Sequence, residues 1–277
     1  MNLVDTIQNM PLRHELLADG AVLRYREAGS KAPDAPVLVL LHGIGSGSAS
    51  WVRQLLAAEG GAQRVLAWDA PGYADSSPVL ADAPTAADYA ARFWLWMDAL
   101  KVGEMHLVGH SLGCIMAAGV AHAQPARVKR LTLLAPAQGY GTGTPEVRAK
   151  MCQDRLDMFA RLGAAGMAAQ RAPALLTPDA SDDDLALATY MMASLNTVGY
   201  SKATHLLANA VIANDLAGIT CRIAVACGNM DTITPPTACK SLADKLDAPY
   251  VDLAGAGHLC AVQAWQQVNQ ILDLGKL

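Results

Sequence analysis

The sequence predicts an α/β fold in which a mostly parallel, eight-stranded sheet is flanked by helices. Short, continuous apolar runs alternate along the chain with segments of helical periodicity, a pattern typical of buried parallel strands joined by right-handed helical crossovers. The interval 140–217 contains no convincing strand and predicts an all-helical insertion after the sixth strand. We therefore expect a core built from 1–139 and 218–277, with 140–217 as a helical insertion.

Eight strands are predicted from two kinds of pattern. The first two form a hairpin, because Asp19-Gly20 is a favoured turn dipeptide and separates two strand-like runs within 12–29. The other six are predominantly apolar runs, as expected for strands that are buried on both faces. These runs lie at 37–42, 64–69, 105–110, 128–135, 222–227 and 249–254.

The clearest helix is predicted at 85–102. Thr85 is the expected N-cap, and Asp88 three residues later completes a pattern similar to a capping box. Apolar side chains then recur at helical spacing, and we interpret them as core packing. They are Tyr89, Phe93, Trp96, Met97 and Leu100.

Composition and charge exclude several classes of protein. Of the 277 residues, 52% are hydrophobic and 17% are charged, which is typical of a globular protein, and the formal net charge is −4. A negative chain without a Lys/Arg cluster is not expected to bind nucleic acid. No apolar stretch reaches the roughly 18 residues of a membrane span, and no secretory signal is recognisable, so we expect no membrane association. The six cysteines show neither a CxxC pair nor a zinc spacing, which favours reduced thiols in a cytoplasmic protein and no metal site.

The segment "VGHSLGC" places Ser111 between a predicted strand and a predicted helix. A turn this sharp forces its central residue into a strained backbone conformation and lifts the side chain above the sheet edge. Gly109 and Gly113, two positions away on either side, allow the strand and the helix to approach closely. Ser111 is therefore a candidate nucleophile, although glycine and serine also occur in ordinary turns.

A serine nucleophile needs a base, normally a histidine held by a carboxylate. His258 lies in the small-residue loop "GAGH" directly after the last predicted strand, and Asp231 follows the strand before it. Both loops belong to the carboxyl edge of the sheet, where sites of α/β proteins assemble. A turn or helix-cap role for Asp231 is the simpler alternative, but Ser111, Asp231 and His258 each follow a different strand, in an order that favours a triad.

The remaining histidines are expected to be structural. His110 adjoins Ser111, but its side chain should point away from the hydroxyl, and His42 at the end of a strand is expected to brace a loop. The others fall inside predicted strands or helices, at His14, His106, His122 and His205.

An oxyanion hole requires two preorganised N–H donors. The N–H of Leu112 is one by position, because it follows the nucleophile at a helix N-terminus. The second is expected from Ile44, since Gly43 and Gly45 on either side allow the backbone of "HGIG" to fold inward.

Five segments in this order resemble the α/β-hydrolase superfamily: "HGIGSGSASW", "WDAPGYADSS", "GHSLG", "GNMDTITPP" and "GAGH". The resemblance covers essentially the whole chain, and 140–217 lies where that family carries its cap. It implies Ser111 as the nucleophile, Asp231 as the acid and His258 as the base. It also implies the amides of Ile44 and Leu112 as oxyanion donors.

Within the superfamily the chain is most similar to bacterial enol-lactonases and to carbon–carbon bond hydrolases of aromatic breakdown. The latter usually carry a Ser-Gly-Pro-Gly-type loop after the first His-Gly and an asparagine further on, whereas this chain reads Ile-Gly-Ser-Gly-Ser and has no such asparagine. That departure counts against carbon–carbon cleavage. Haloalkane dehalogenases use an aspartate nucleophile and dienelactone hydrolases a cysteine, whereas here the position is Ser111; Cys114 is expected to be a buried small side chain.

Substrate selection is expected to involve the cap. Its apolar side chains would favour a small apolar or cyclic ester, although most of them are expected simply to pack cap helices together. The residues predicted to contact substrate are Gly43, Trp51, Met158, Met191, Met192 and Leu259. Arg155, Arg161 and Arg171 could meet a substrate carboxylate, but an exposed helix face is the simpler expectation for each.

The function expected from these residues is hydrolysis of a small carboxylic ester or lactone by a monomer or homodimer, without a cofactor. A carbon–carbon bond hydrolase is the enzymatic alternative. A non-catalytic receptor that retains the pocket for a small ligand is a third possibility, and it would have no need for all three members of the triad.

Overall fold

A single eight-stranded sheet organises the chain, and the computed structural model describes residues 2–275 of it. The strand order across the sheet is β1-β2-β4-β3-β5-β6-β7-β8. The strands are β1 (Arg13–Leu16), β2 (Val22–Gly29), β3 (Val37–Leu41), β4 (Arg64–Trp68), β5 (Met105–His110), β6 (Val128–Leu134), β7 (Arg222–Gly228) and β8 (Tyr250–Leu253). The predicted α/β class and the eight strands are confirmed.

Of the eight described strands, only β2 runs antiparallel to the rest, because it pairs in antiparallel fashion with both β1 and β4. β1 and β2 form the hairpin predicted from Asp19-Gly20, with Gly20 at φ 80°, and β2 then pairs with β4 in antiparallel fashion. The pairs from β4 through β8 are parallel. Residues Leu38–Leu41 of β3 are inaccessible to solvent, because helices cover both faces of the parallel part.

Helices form layers on either side of this sheet. Those of the core are α1 (Leu3–Asn9), α2 (Val52–Ala58), α3 (Ala86–Ala99), α4 (Leu112–Ala123), α9 (Pro236–Lys245), α10 (Cys260–Gln263) and α11 (Trp265–Ile271). α3 begins with the predicted capping box, in which the Thr85 N–H donates to the Asp88 carboxylate at 2.7 Å. α1 was not predicted; the side chain of Asn2 caps it by accepting from the Asp5 N–H.

Between β6 and β7 the described chain is helical and contains no strand. The helices there are α5 (Pro145–Arg171), α6 (Asp182–Ala193), α7 (Thr197–Asn209) and α8 (Ile212–Leu216). Gly163 interrupts α5 with φ 62° and ψ 178°, so that this element is two helical halves joined at a kink. Direct polar contacts tie the segment to the core, including an ion pair of 2.8 Å between Arg53 and Asp184.

None of the helices within 2–275 combines the length and the apolar character that a bilayer span requires. The carboxyl ends of the parallel strands meet at one edge of the sheet, beneath the helices of 145–216. The loops after β3, β5, β7 and β8 leave that edge, and they carry the residues described next.

Candidate active site

Ser111 occupies the turn between β5 and α4, in a conformation that few residues adopt. Its φ is 54° and its ψ is −117°, an uncommon combination for a residue with a side chain. The two flanking glycines are required by close backbone contacts. A Cβ on Gly113 would lie 2.3 Å from the carbonyl oxygen of Leu41, and one on Gly109 would lie 2.5 Å from that of Gly113. The strand and the helix therefore pack too tightly for any larger residue.

The side chains of Ser111, His258 and Asp231 form one continuous hydrogen-bonded chain. Nε2 of His258 lies 2.9 Å from Oγ of Ser111, and Nδ1 lies 2.8 Å from Oδ2 of Asp231. All three residues are buried. With the Nδ1 proton on the aspartate side, Nε2 is free to accept the serine proton, which is the arrangement that a general base requires.

The carboxylate of Asp231 is fixed by its own loop as well as by His258. Oδ1 accepts the backbone N–H groups of Ile233 at 2.7 Å and Thr234 at 3.0 Å. Burial alone raises the pKa of Asp231, but the hydrogen bond and charge of His258 and the hydrogen bonds from Thr234 outweigh it and lower the pKa to about 2. Asp231 is therefore ionised across the neutral pH range.

Thr234 is a member of this cluster that the sequence reasoning did not identify. Its Oγ1 lies 2.8 Å from Oδ2 of Asp231, 3.0 Å from the carbonyl oxygen of Ala135 and 3.2 Å from Nδ1 of His258. The available signal was its position three residues after Asp231, where a turn closed by an aspartate brings side chain and backbone together.

The backbone around Ser111 offers two N–H groups without an acceptor among residues 2–275, those of Leu112 and Ile44. Leu112 is the first residue of α4, where the N–H has no intrahelical partner. The loop that carries Ile44 runs alongside the serine, since a Cβ on Gly43 would lie 3.1 Å from Cβ of Ser111. The carbonyl oxygen of Ile44 accepts from the Tyr73 hydroxyl at 2.9 Å, which anchors this loop.

Two further histidines support these loops without reaching the hydroxyl. Nε2 of His42 accepts the N–H of Ala70 at 3.0 Å, and its Nδ1 donates to the carbonyl oxygen of Gly43 at 2.8 Å, as expected for a loop brace. Nε2 of His110 donates to the carbonyl oxygen of His258 at 2.8 Å. Burial lowers the pKa of His110 to about 3, so this ring is neutral at neutral pH. Its hydrogen bond stabilises the loop that carries His258.

A cavity of about 320 Å³ opens onto Ser111 and His258. Its volume is in the range of small-molecule sites. The walls contributed by the helices of 145–216 are mainly apolar, and they include Met167, Leu175, Met192, Leu195 and Leu207. Within 2–275, no three His, Cys, Asp or Glu side chains are grouped closely enough to hold a metal ion.

Three of the six residues predicted to contact substrate line this cavity, namely Gly43, Met192 and Leu259. The prediction was wrong for Met191, which faces a separate depression beside Tyr190. Consecutive residues of a helix point about 100° apart, and here Met192 of α6 faces the cavity while Met191 does not.

The other two corrections concern Trp51 and Met158. Trp51 is completely buried beneath the loop after β3, where its ring meets that of His110 edge-on at 6.4 Å between centroids. Met158 is half-buried among the apolar side chains of the core and is absent from the cavity wall.

The arginines of α5 also differ from the expectation of an exposed helix face. Arg155 and Arg171 are half-buried and line the same cavity as Ser111, whereas Arg161 is exposed. The kink at Gly163 changes which side of each half of α5 faces the cavity. A prediction that treats α5 as one straight helix does not account for this change.

Comparison with known proteins identifies the family to which this architecture belongs. Residues 36–263 match the sequence profile described as alpha/beta hydrolase fold, which is most of the chain. The chain is an α/β hydrolase. The superfamily suggested by its motifs is thereby confirmed.

Among curated relatives, this α/β hydrolase is similar to 2-hydroxy-6-oxononadienedioate/2-hydroxy-6-oxononatrienedioate hydrolase from Paraburkholderia xenovorans (strain LB400), with 36% identity over 134 residues. The match covers 46% of this chain and 43% of that protein, so this chain spans less than half the length of the curated relative.

Two solved structures have the same overall fold as this α/β hydrolase. An esterase from Thermogutta terrifontis with malate bound superposes with a TM-score of 0.82 at 20% identity, over 95% of this chain and 97% of the esterase. The enol-lactonase from Burkholderia xenovorans LB400 superposes with a TM-score of 0.81 at 23% identity, over 94% of this chain and 98% of the lactonase. At these identities the similarity establishes the fold.

Proposed function

We propose that this α/β hydrolase cleaves a small carboxylic ester or lactone, with Ser111 as nucleophile, His258 as general base and Asp231 as the orienting acid. The observation that carries the proposal is the hydrogen-bonded chain of 2.9 Å and 2.8 Å that joins these three side chains at the mouth of one cavity. A strained serine conformation held by two tightly packed glycines supports the same assignment, because a turn residue without a function would not require it.

The first step of the proposed cycle forms an acyl-enzyme. Oγ of Ser111 attacks the substrate carbonyl carbon as Nε2 of His258 takes the hydroxyl proton. Asp231 keeps the other proton on Nδ1 and stabilises the imidazolium by its charge. Because the pKa of Asp231 is lowered to about 2, this carboxylate remains an anion throughout the cycle at neutral pH.

The negative charge that develops on the carbonyl oxygen needs donors that are already in place. The N–H groups of Leu112, at the start of α4, and of Ile44, in the loop after β3, have no acceptor among residues 2–275. Loss of one such donor typically lowers kcat about 10²–10³-fold.

His258 then returns its proton to the leaving alcohol, or to the ring-opened hydroxyl of a lactone. In the second half of the cycle Nε2 of His258 takes a proton from water as the water oxygen attacks the acyl carbon. His258 then returns that proton to Oγ of Ser111 as the bond between Oγ and the acyl carbon breaks, and the acid is released. Ser111, His258, the leaving group and water account for every proton moved in the cycle, and the two amides only stabilise negative charge.

Carbon–carbon bond hydrolysis is the second candidate, and the similarity to the Paraburkholderia xenovorans hydrolase favours it. The substrate in that name is a vinylogous 1,5-diketone without an ester, so its hydrolysis breaks a carbon–carbon bond. The loop Ile44–Ser48 departs from the sequence expected of such enzymes and favours the ester or lactone reaction.

Turnover of three probes by the purified protein separates these activities: 4-nitrophenyl butyrate, an enol-lactone and a vinylogous 1,5-diketone. We expect ester or lactone turnover to exceed diketone turnover, and Ser111→Ala to abolish all of it. A higher kcat/KM for the diketone would replace the first candidate by the second. Tight binding of these probes without any turnover would instead support a receptor.

A further inference from the structure

We propose that the substrate of this α/β hydrolase carries an ionised carboxylate in addition to the bond that is cleaved, and that Arg155 and Arg171 bind it. The inference rests on the proposed hydrolytic function of the same cavity. It names the substrate class as esters or lactones of dicarboxylic acids that retain one free carboxylate.

The first observation is the charge of the cavity wall. Arg155 and Arg171 are among the described residues that line the cavity, and no aspartate or glutamate is. The remaining wall is largely apolar. A cavity of this kind excludes a cation and pairs an anion in a medium where such pairing is stronger than in water.

The second observation is that neither Arg155 nor Arg171 has an anionic partner within 2–275. Nε of Arg155 is buried and has no hydrogen-bond acceptor there. The acids nearest to Arg155 in sequence are engaged elsewhere, since Asp154 pairs with Lys150 at 2.8 Å and Asp157 accepts from Gln153 at 2.7 Å. A buried guanidinium N–H without an acceptor is costly, and a carboxylate from the substrate would satisfy it.

The third observation is the kink that brings the two arginines to one cavity. A straight helix would separate residues 155 and 171 by about 24 Å along its axis. Gly163 breaks α5 between them with φ 62° and ψ 178°, a region that side chains rarely adopt, and both halves then contribute to the same wall. Because of the bend, both arginines line one cavity of small-molecule size.

The two arginines lie on the helical side of the cavity and Ser111 lies on the sheet side, with Met167, Leu195 and Leu207 in the same wall. This arrangement fits a substrate with a carboxylate at one end, an apolar middle and the scissile carbonyl at the other end. Guanidinium pairs with carboxylate by charge-assisted hydrogen bonds, which are stronger than neutral ones.

The experiment compares two probes that differ only in this charge, 4-nitrophenyl hydrogen adipate and 4-nitrophenyl methyl adipate. Release of 4-nitrophenol gives the ratio of kcat/KM for the anionic probe to that for the neutral probe. We expect the wild-type ratio to exceed unity and to fall about tenfold or more in Arg155→Gln and in Arg171→Gln. Arg161→Gln, on the same helix but exposed, is the matched control and should leave the ratio unchanged.

The methyl ester serves as an internal control for folding, because it reports the same cavity without the charge. An unchanged ratio in both cavity variants, with normal turnover of the methyl ester, would overturn the inference and leave the proposed function intact. A wild type that releases 4-nitrophenol from neither probe would contradict the proposed function.

Binding of adipate to Ser111→Ala, measured by calorimetry, tests the anion site without turnover. We expect binding that weakens about tenfold or more when Arg155→Gln or Arg171→Gln is added. Absence of adipate binding, or binding that neither change weakens, would overturn the inference even if neutral esters are good substrates.

Discussion

Oγ1 of Thr234 lies 2.8 Å from Oδ2 of Asp231, the same oxygen that faces Nδ1 of His258 at 2.8 Å. Oδ2 of Asp231 is thus within hydrogen-bonding distance of both the Thr234 hydroxyl and the His258 ring. Thr234 also contacts the carbonyl oxygen of Ala135, at the end of β6, so it connects Asp231 to the adjacent strand. It acts as a positioning residue for the acid.

Removing this hydroxyl should slow the reaction without abolishing it. In Thr234→Val, Asp231 keeps the backbone N–H groups but loses a donor to Oδ2, so its orientation toward His258 is less well defined. We expect kcat to fall about tenfold, the size of one hydrogen bond to a charged group. Thr234→Ser keeps the hydroxyl and should restore most of kcat. A serine variant as slow as the valine variant would show that the methyl group, and not the hydroxyl, matters.

Gly113→Ala should disrupt the turn that presents Ser111. The new Cβ would lie 2.3 Å from the carbonyl oxygen of Leu41 and 2.7 Å from that of His42, both of which are backbone atoms. We expect a loss of about 1–3 kcal/mol in the free energy of unfolding, together with a lower kcat. Gly103→Ala is the control, because no atom lies within 4 Å of its added Cβ. Thermal melting and ester turnover measure both effects, and equal behaviour of the two variants would contradict the packing account.

The stability contributed by Asp231 should depend on pH in a defined window. Its pKa is about 2 in the folded protein against 3.8 for an unperturbed aspartate, so the unfolded chain binds the proton more tightly. The stabilisation is therefore fully present above the unfolded value and is lost as the pH falls through the folded one. We expect the difference in Tm between wild type and Asp231→Asn to shrink as the pH decreases from 5 toward 2. A difference that is constant or grows over this range would contradict the lowered pKa.

Gly163→Ala tests whether the bend of α5 shapes the cavity. Nothing lies within 4 Å of an added Cβ, so the cost is conformational and not steric contact with neighbours. We expect a loss of about 1–3 kcal/mol in stability, or a rearranged helix that no longer brings Arg155 and Arg171 together. The measurements are thermal melting and the ratio of kcat/KM for the anionic and neutral adipate probes. A variant with unchanged stability and an unchanged ratio would show that the kink has no such role.

The sequence was sufficient for the parts of the site that depend on loop position. Ser111, Asp231 and His258 each follow a separate strand, and parallel strands end at the same edge, so their meeting could be expected before any coordinates. Gly109 and Gly113 also predicted the sharp turn at Ser111, because the close contact between β5 and α4 requires glycine at both positions.

The cavity wall was harder to predict because it depends on the phase of each helix. Periodicity identifies α6 as a helix, but it does not say which of Met191 and Met192 faces the cavity. Arg155 and Arg171 required a kink whose only trace in the sequence is Gly163. Thr234 was missed because a threonine in a turn is common, and only its distance to Asp231 distinguishes it.

Covalent labelling with a fluorophosphonate tests the central claim most directly. Phosphonylation requires a serine activated by a neighbouring base, and mass spectrometry of the digested protein locates the modified residue. We expect modification of the peptide that contains Ser111, none in Ser111→Ala, and a rate about 10²–10⁴-fold lower in His258→Ala. Labelling that persists in Ser111→Ala at the wild-type rate, or that is unaffected by His258→Ala, would contradict the account.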